Sequence, residues 1–143
     1  QRLLEIGNWL NIYSEGIYGT RQWIKDAQWS EGKRPMFTKS DFHSGFPIYE
    51  MTINPKLGYS VKEFWFTQKG SNLYAFSPEW PKTKSIFIKD VKPTKETNIS
   101  LMGCDKSLKY NETSDGIVVD ISPIGIRDLK SKFVFGFKIS NIK

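Results

Sequence analysis

One cysteine, Cys104, and one histidine, His43, stand in a chain of 143 residues. A lone cysteine excludes an internal disulfide, and Cys104 reads as a small buried hydrophobe at a strand end. With so few soft donors a metal site would lack its usual His and Cys ligands, and no cofactor is expected. A Ser-His-Asp arrangement could only be built around His43, which lies in a stretch dense in turn residues. No phosphate-cradling Gly-rich loop precedes a helix. No run of about 18 apolar residues exists, so no membrane span is expected. The amphipathic start, carrying Glu5, does not read as a secretory signal. Acidic residues are outnumbered, 15 against 21 basic ones, for a net charge of +6. The surplus raises contact with nucleic acid or an acidic glycan. Its lysines, however, are scattered (Lys62, Lys69, Lys82, Lys84, Lys89, Lys92, Lys95) and no recognition helix is on offer. A solvated basic surface is the plainer reading, with no nucleic-acid partner.

Hydrophobic residues at 38% and aromatics at 15% describe globular material with enough length for one domain. Leu3, Ile6, Leu10 and Tyr13 recur at steps of three and four, the apolar face of a helix. No cap precedes them, so the helix reads as already under way at Gln1. Gly7 inside it costs roughly 1 kcal/mol against Ala, which suggests close approach by another backbone. The pattern breaks at Ser14-Glu15-Gly16, and Ile17 to Thr20 reads as a short extended exit. Residues 24–60 are irregular, punctuated by Gly32, Pro35, Gly45, Pro47, Pro55 and Gly58, with at most short strands such as Ile48 to Ile53.

From Val61 the period becomes two. Phe64 and Phe66 alternate with Trp65, and a Gly-containing loop leads to a partner strand over Leu73–Phe76, which together predict a hairpin. Pro78 predicts an edge or a bulge at its end. Further strands follow at Ser85–Lys89, Thr97–Met102, Leu108–Tyr110 and Ile117–Ile121. The last places Phe133, Phe135, Phe137 and Ile139 on one face. About seven or eight strands with no helix between them predict a mainly β fold, an antiparallel β-sandwich preceded by one N-terminal helix.

Several stretches resemble family 29 α-L-fucosidases. Arg2-Leu3-Leu4-Glu5-Ile6-Gly7-Asn8-Trp9-Leu10, with Gly16-Ile17-Tyr18-Gly19-Thr20-Arg21-Gln22-Trp23, resembles that family's last barrel helix and its "GEAIYGTRPW"-like exit. Gln22 replaces the Pro, Ser14 and Gly16 replace the Gly and Ala flanking the glutamate, and Tyr13 replaces a usual Asn. Glu31-Gly32 is similar to a "GEGP"-like turn. Phe66-Thr67-Gln68-Lys69-Gly70-Ser71-Asn72-Leu73-Tyr74-Ala75-Phe76, ending at Trp80-Pro81, resembles a "yTsKGsavYAifleWP" hairpin. Ile99 to Gly103 with Leu108-Lys109-Tyr110 matches "itmLG…LkW", and Phe135 to Lys143 sits where the family ends in "wtiKLtgv". The order and spacing are most similar to the animal-type enzymes.

The resemblance implies 1–23 as the helix and exit of an upstream catalytic barrel and 61–143 as a C-terminal β-sandwich; it lapses over 24–60, which reads as an irregular connecting or insertion segment. It implies a parent enzyme that removes terminal α-L-fucose from glycoconjugates with retention. Its nucleophile and acid/base would lie on barrel strands upstream of this chain, which leaves no catalytic residue here. Partners would be that barrel and, through the parent, fucosylated glycans, and animal-type members are often homo-oligomers. Glu15, where the family keeps a Glu, reads as a structural residue bonding backbone at the helix exit. Glu63, Glu79, Asp90, Glu96 and Asp120 read as solvated strand residues, and Asp105 and Asp115 as turn formers.

Two stretches, Asn98-Ile99-Ser100 and Asn111-Glu112-Thr113, fit the N-glycosylation acceptor pattern. With the resemblance they favour a lysosomal or secreted parent, Asn98 preceding a strand and Asn111 following one. Trp65 and Trp80, with Trp29, are candidate sugar contacts; burial in the sandwich or against the barrel is the plainer reading. The rival from another class is a free-standing, lectin-like β-sandwich.

Overall fold

A computed structural model describes residues 1–36 and 51–143. At the N-terminus helix α1 (Arg2–Tyr13) runs into a 3₁₀ turn, Ser14–Gly16. Nine strands follow among the described residues: β1 (Ala27–Trp29), β2 (Lys62–Lys69), β3 (Asn72–Ser77), β4 (Ser85–Lys89) and β5 (Pro93–Leu101), then β6 (Ser107–Leu108), β7 (Tyr110–Thr113), β8 (Gly116–Asp120) and β9 (Phe135–Ile142). They form a six-stranded sheet ordered β1-β2-β3-β9-β5-β6 and a three-stranded sheet ordered β4-β8-β7. Every pairing is antiparallel. The mainly β architecture behind an N-terminal helix is therefore the one the sequence predicts.

Period-two alternation produces the core directly, because successive side chains of a strand point to opposite faces. Phe64, Phe66, Leu73, Ala75, Ile99, Leu101, Phe137 and Ile139 of the larger sheet meet Ile86, Ile88, Ile117 and Val119 of the smaller one in one buried cluster. The larger sheet carries a second apolar face. Tyr74, Phe76 and Met102 pack there with Tyr13, flanked by the half-buried Trp9, Ile12, Ile17, Trp65 and Val134. Helix α1 is thus the second layer over that face.

Close backbone approach makes the layer possible. A Cβ on Gly136 would lie 2.9 Å from Met102 Sδ, 2.9 Å from Tyr13 Cδ1 and 3.0 Å from Phe76 Cε1. One on Gly16 would lie 2.7 Å from Phe76 Cζ. At both points aromatic rings rest where any other residue would put a methyl.

The helix buries Tyr13 with Trp9 and Ile12 half-buried beside it, while Leu3 is 83% exposed and Ile6 55% exposed. At 100° per residue, Trp9, Ile12 and Tyr13 cluster on one side, and the Leu3–Ile6–Leu10 row lies roughly a quarter-turn away. Of the predicted stripe Tyr13 is buried while Leu3 and Ile6 stay open, and the sandwich takes the neighbouring row. Other expectations are corrected. Around Gly7 a Cβ would meet nothing within 4 Å, so the close approach falls at Gly16 and Gly136 instead. The exit after the helix is a turn, with Ile17 and Tyr18 N–H both donating to Ser14 O at 3.1 and 2.9 Å, and Gly19 at φ +68°. Strand β3 is neither an edge nor bulged: Trp65–Phe76 on one side and Ser77–Phe135 on the other hold it inside the sheet. Pro78 simply follows its last residue.

Phe133 leaves the β9 row because Val134 adopts φ +50°, which resets the alternation; Phe133 is 70% exposed. Strand β5 starts at Pro93, and Leu108–Tyr110 divides between β6 and β7. Part of the expected strand Ile48–Ile53, residues 48–50, lies outside the described residues, as does His43; Met51 and Thr52 are helical. Within the irregular 24–60 stretch, β1 completes the edge of the larger sheet.

Candidate functional site

Three places are candidates: a seam between the sheets, a carboxylate beneath the helix exit, and the two sequons. The seam runs where β1 and β2 face β4. Gln28, 4% exposed, spans it. Its Nε2 donates to Phe87 O at 2.7 Å and to Glu63 Oε2 at 3.1 Å, and its Oε1 accepts from Lys89 N–H at 2.9 Å. A side-chain amide thereby supplies both the donor and the acceptor that the edge strand β4 would otherwise leave open. Beside it opens a groove of about 470 Å³, walled by Trp29, Trp80, Pro78 and Glu79. Glu63 is half-buried in this groove and bonded to Gln28, not a solvated strand residue as expected. Trp80 packs edge-on to Phe135 at 5.3 Å and stacks on Phe137 at 6.0 Å. It is part of the core wall. Lys62 Nζ and the Arg34 guanidinium lie 5.4 and 5.5 Å from the Trp29 ring centre, which occupies that indole with cations of the chain itself.

Glu15 lies under the helix exit, on the outer face of the larger sheet. Tyr74 Oη donates to Glu15 Oε1 at 2.9 Å, and Lys138 Nζ donates to the same oxygen. The partners are side chains of β3 and β9, a correction to the expected backbone role. Together they tie the 3₁₀ turn to two strands of the sheet. The bond from Lys138 holds the Glu15 carboxyl below the usual carboxylate range, against some desolvation and with help from Tyr74 and Lys69. Burial, reinforced by that carboxylate, pushes the Tyr74 phenol up to about 12. Burial also raises the Tyr13 phenol. A carboxylate so held is ionised and paired, suited to anchoring the helix rather than to exchanging protons near neutrality.

The remaining candidates fall apart in space. Trp65 sits on the outer face of β2, half-buried against the helix-side cluster, opposite the side that holds Trp80. Asn98 and Asn111 are both exposed, but each lies within a strand, β5 and β7, and does not flank one. Asn98 Oδ1 accepts a hydrogen bond from Ser107 Oγ. Cys104 is half-buried against the main core. Among the described residues no group of three or more His, Cys, Asp or Glu is gathered as a metal site would need, and no helix is long and apolar enough to cross a membrane. Sequence reasoning missed Gln28, since nothing local marks a glutamine in a three-residue strand as the tie between two sheets.

Comparison with known proteins bears on this arrangement. The family profile described as "Alpha-L-fucosidase C-terminal domain" matches residues 59–140. The tissue alpha-L-fucosidase of Homo sapiens is 23% identical over 144 residues, covering 100% of this chain and 24% of that protein. A putative alpha-L-fucosidase of Caenorhabditis elegans is 28% identical over 149 residues, covering 96% of this chain and 27% of that protein. Among solved structures, a Thermotoga maritima alpha-fucosidase in complex with a mechanism-based inhibitor superposes with a TM-score of 0.59 at 17% identity, covering 97% of this chain and 25% of that one. That last likeness is one of fold. The chain spans about a quarter of the length of the relatives it matches.

Proposed function

The chain belongs to the α-L-fucosidase C-terminal domain family, and from that premise we propose that it is the auxiliary C-terminal part of a retaining α-L-fucosidase. The parent removes terminal α-L-fucose from glycoconjugates with two carboxylates about 5 to 5.5 Å apart, both on an upstream barrel. This part is non-catalytic. Residues 1–23 form the junction with the barrel, 24–60 connect, and 61–143 form the sandwich.

One observation carries the reading: α1 has two apolar faces and the sandwich uses only one. Trp9, Ile12 and Tyr13 grip the larger sheet, while Leu3 and Leu4 remain 83% and 74% exposed alongside Ile6. An apolar row of this kind marks a contact surface. The catalytic barrel is the occupant we assign, because the helix carries the residues that resemble the last barrel helix. The free-standing, lectin-like reading draws no support from Trp80, whose ring is committed to Phe135 and Phe137. The parent is lysosomal or secreted and carries N-glycan, and its subunits associate as homo-oligomers.

The test is a Leu3→Glu/Ile6→Glu double variant of the intact protein, assayed on an aryl α-L-fucoside. Expected are an unchanged KM and a loss of activity at a lower temperature than wild type, because a charge at a buried contact weakens docking without touching the substrate. Wild-type thermal inactivation in the variant would refute the docking surface. Absence of aryl-fucosidase activity in the intact wild-type protein would refute the parent reading.

A further inference from the structure

The two sequons are equal in the sequence and unequal in the fold. Asn98 pairs with Ser140 in β9, next to Lys138, which pairs with Ser100. Since Ile99 and Ile139 point into the core, Asn98 shares the outer face of the larger sheet. That is the face where Lys138 reaches Glu15 and α1 lies. Its side-chain oxygen is already held by Ser107. Asn111 lies on the other sheet. Among the described residues strand β7 is an edge: it pairs with β8 alone, and Asn111, Glu112 and Thr113 are all exposed.

The register across the smaller sheet adds a second, independent feature. Asn111 stands opposite Val118, and Val118 stands opposite Phe87. The neighbouring row, Tyr110, Val119 and Ile86, packs in or against the core. Asn111, Val118 and Phe87 therefore share the outward face; Val118 and Phe87 are half-buried, and Phe87 also borders the groove beside Gln28. Opposed residues in a sheet lie about 4.5 to 5.5 Å apart at Cβ, so the first sugars on Asn111 reach across Val118 toward Phe87. An open edge with an apolar strip beside it is a template for pairing with another chain.

We propose that Asn111 is the N-glycosylated asparagine of this region, and that its glycan covers the Phe87–Val118 strip and blocks the free edge of β7. The modification joins the anomeric carbon of the transferred glycan to Asn111 Nδ2; the lipid pyrophosphate that carried it leaves and takes up the displaced amide proton. The inference rests on the secreted or lysosomal reading of the parent.

The test begins with glycopeptide mass spectrometry of the intact protein made in a secreting eukaryotic host. Asn111 is expected to be occupied, with Asn98 largely bare. Enzymatic release of the glycan from the folded protein is then expected to raise concentration-dependent aggregation and apolar-dye binding several-fold. Asn111→Gln should do the same and Asn98→Gln should not. In the glycan-free Asn111→Gln background, Val118→Thr should bring aggregation back toward the glycosylated level. A bare Asn111, an Asn98 occupied to the same extent, or release that leaves aggregation and dye binding unchanged would overturn the proposal. Aryl-fucosidase activity, read on the same sample, separates its failure from failure of the enzyme reading.

Discussion

Gly136→Ala is a small change with a large expected effect. The added Cβ would stand 2.9 Å from Met102 Sδ, 2.9 Å from Tyr13 Cδ1 and 3.0 Å from Phe76 Cε1. Ordinary contact begins near 3.5 Å, so three side chains must each retreat by roughly half an ångström or more. None is free to do so, since Tyr13 is 1% exposed and Met102 and Phe76 are each 7% exposed. The relief available is for α1 to lift, which also strains the bond from Trp9 Nε1 to Val134 O at 3.3 Å. Overpacking of this kind costs about 1–3 kcal/mol, which in a chain of this size lowers Tm by about 3–10 °C. The paired control is Gly7→Ala. No atom lies within 4 Å of its Cβ, and the helix gains about 0.5–1 kcal/mol when its glycine is replaced. Thermal unfolding by circular dichroism, with Trp fluorescence as a probe of Trp9, reads both. Opposite shifts are expected. A neutral Gly136→Ala, or a destabilised Gly7→Ala in this chain, would refute the account of how the helix layer is packed.

Other expectations follow from the same geometry. The folded state holds the Glu15 carboxyl below its ordinary 4.5, so its contribution is fully present above that pH. It fades as the pH falls below 4.5 through the lower folded value; Glu15→Gln should flatten this acid limb in a Tm-against-pH series. Tyr74 is raised from 10.0 to about 12. The folded state keeps that proton while the unfolded chain loses it, so stability should drop as pH climbs from about 10 toward 12. Tyr74→Phe should shrink that alkaline limb, leaving the part that the raised Tyr13 phenol contributes. Gln28→Ala deletes two bonds across the seam, to Phe87 and Lys89, and a third to Glu63 within its own sheet, and leaves strand β4 partly unpaired. A loss of about 1–3 kcal/mol is expected in urea unfolding, and an unchanged midpoint would show that the amide does not tie the sheets.

How much was legible in advance depended on the range of the cause. Phe64 and Phe66, Ile86 and Ile88, Ile117 and Val119, and Phe135 to Ile139 announced their strands and inner faces, because a period of two is a local property. Phe133 broke the row because a single residue, Val134, turns to φ +50°, and no neighbour in the sequence marks that reversal. The helix was readable and its orientation was not. Leu3, Ile6 and Leu10 make the more regular stripe, but Tyr13 presents a ring that fits the hollow over Gly136, and Trp9 packs on that ring. The partners of Glu15 lie 59 and 123 residues away in the chain. Only the pairing of β3 with β9 brings Tyr74 and Lys138 side by side. Gln28 was invisible for the same reason, since its meaning is set by β4.

The central claim is that this chain works as the C-terminal part of a fucose-releasing enzyme. The most direct measurement is the native size of the protein recognised by an antibody to this chain, with hydrolysis of an aryl α-L-fucoside assayed on the captured material. A (β/α) barrel adds about 250 residues, so a band far above 16.6 kDa carrying that activity is the predicted result. A native band at 16.6 kDa, or a larger one without fucosidase activity, would contradict it.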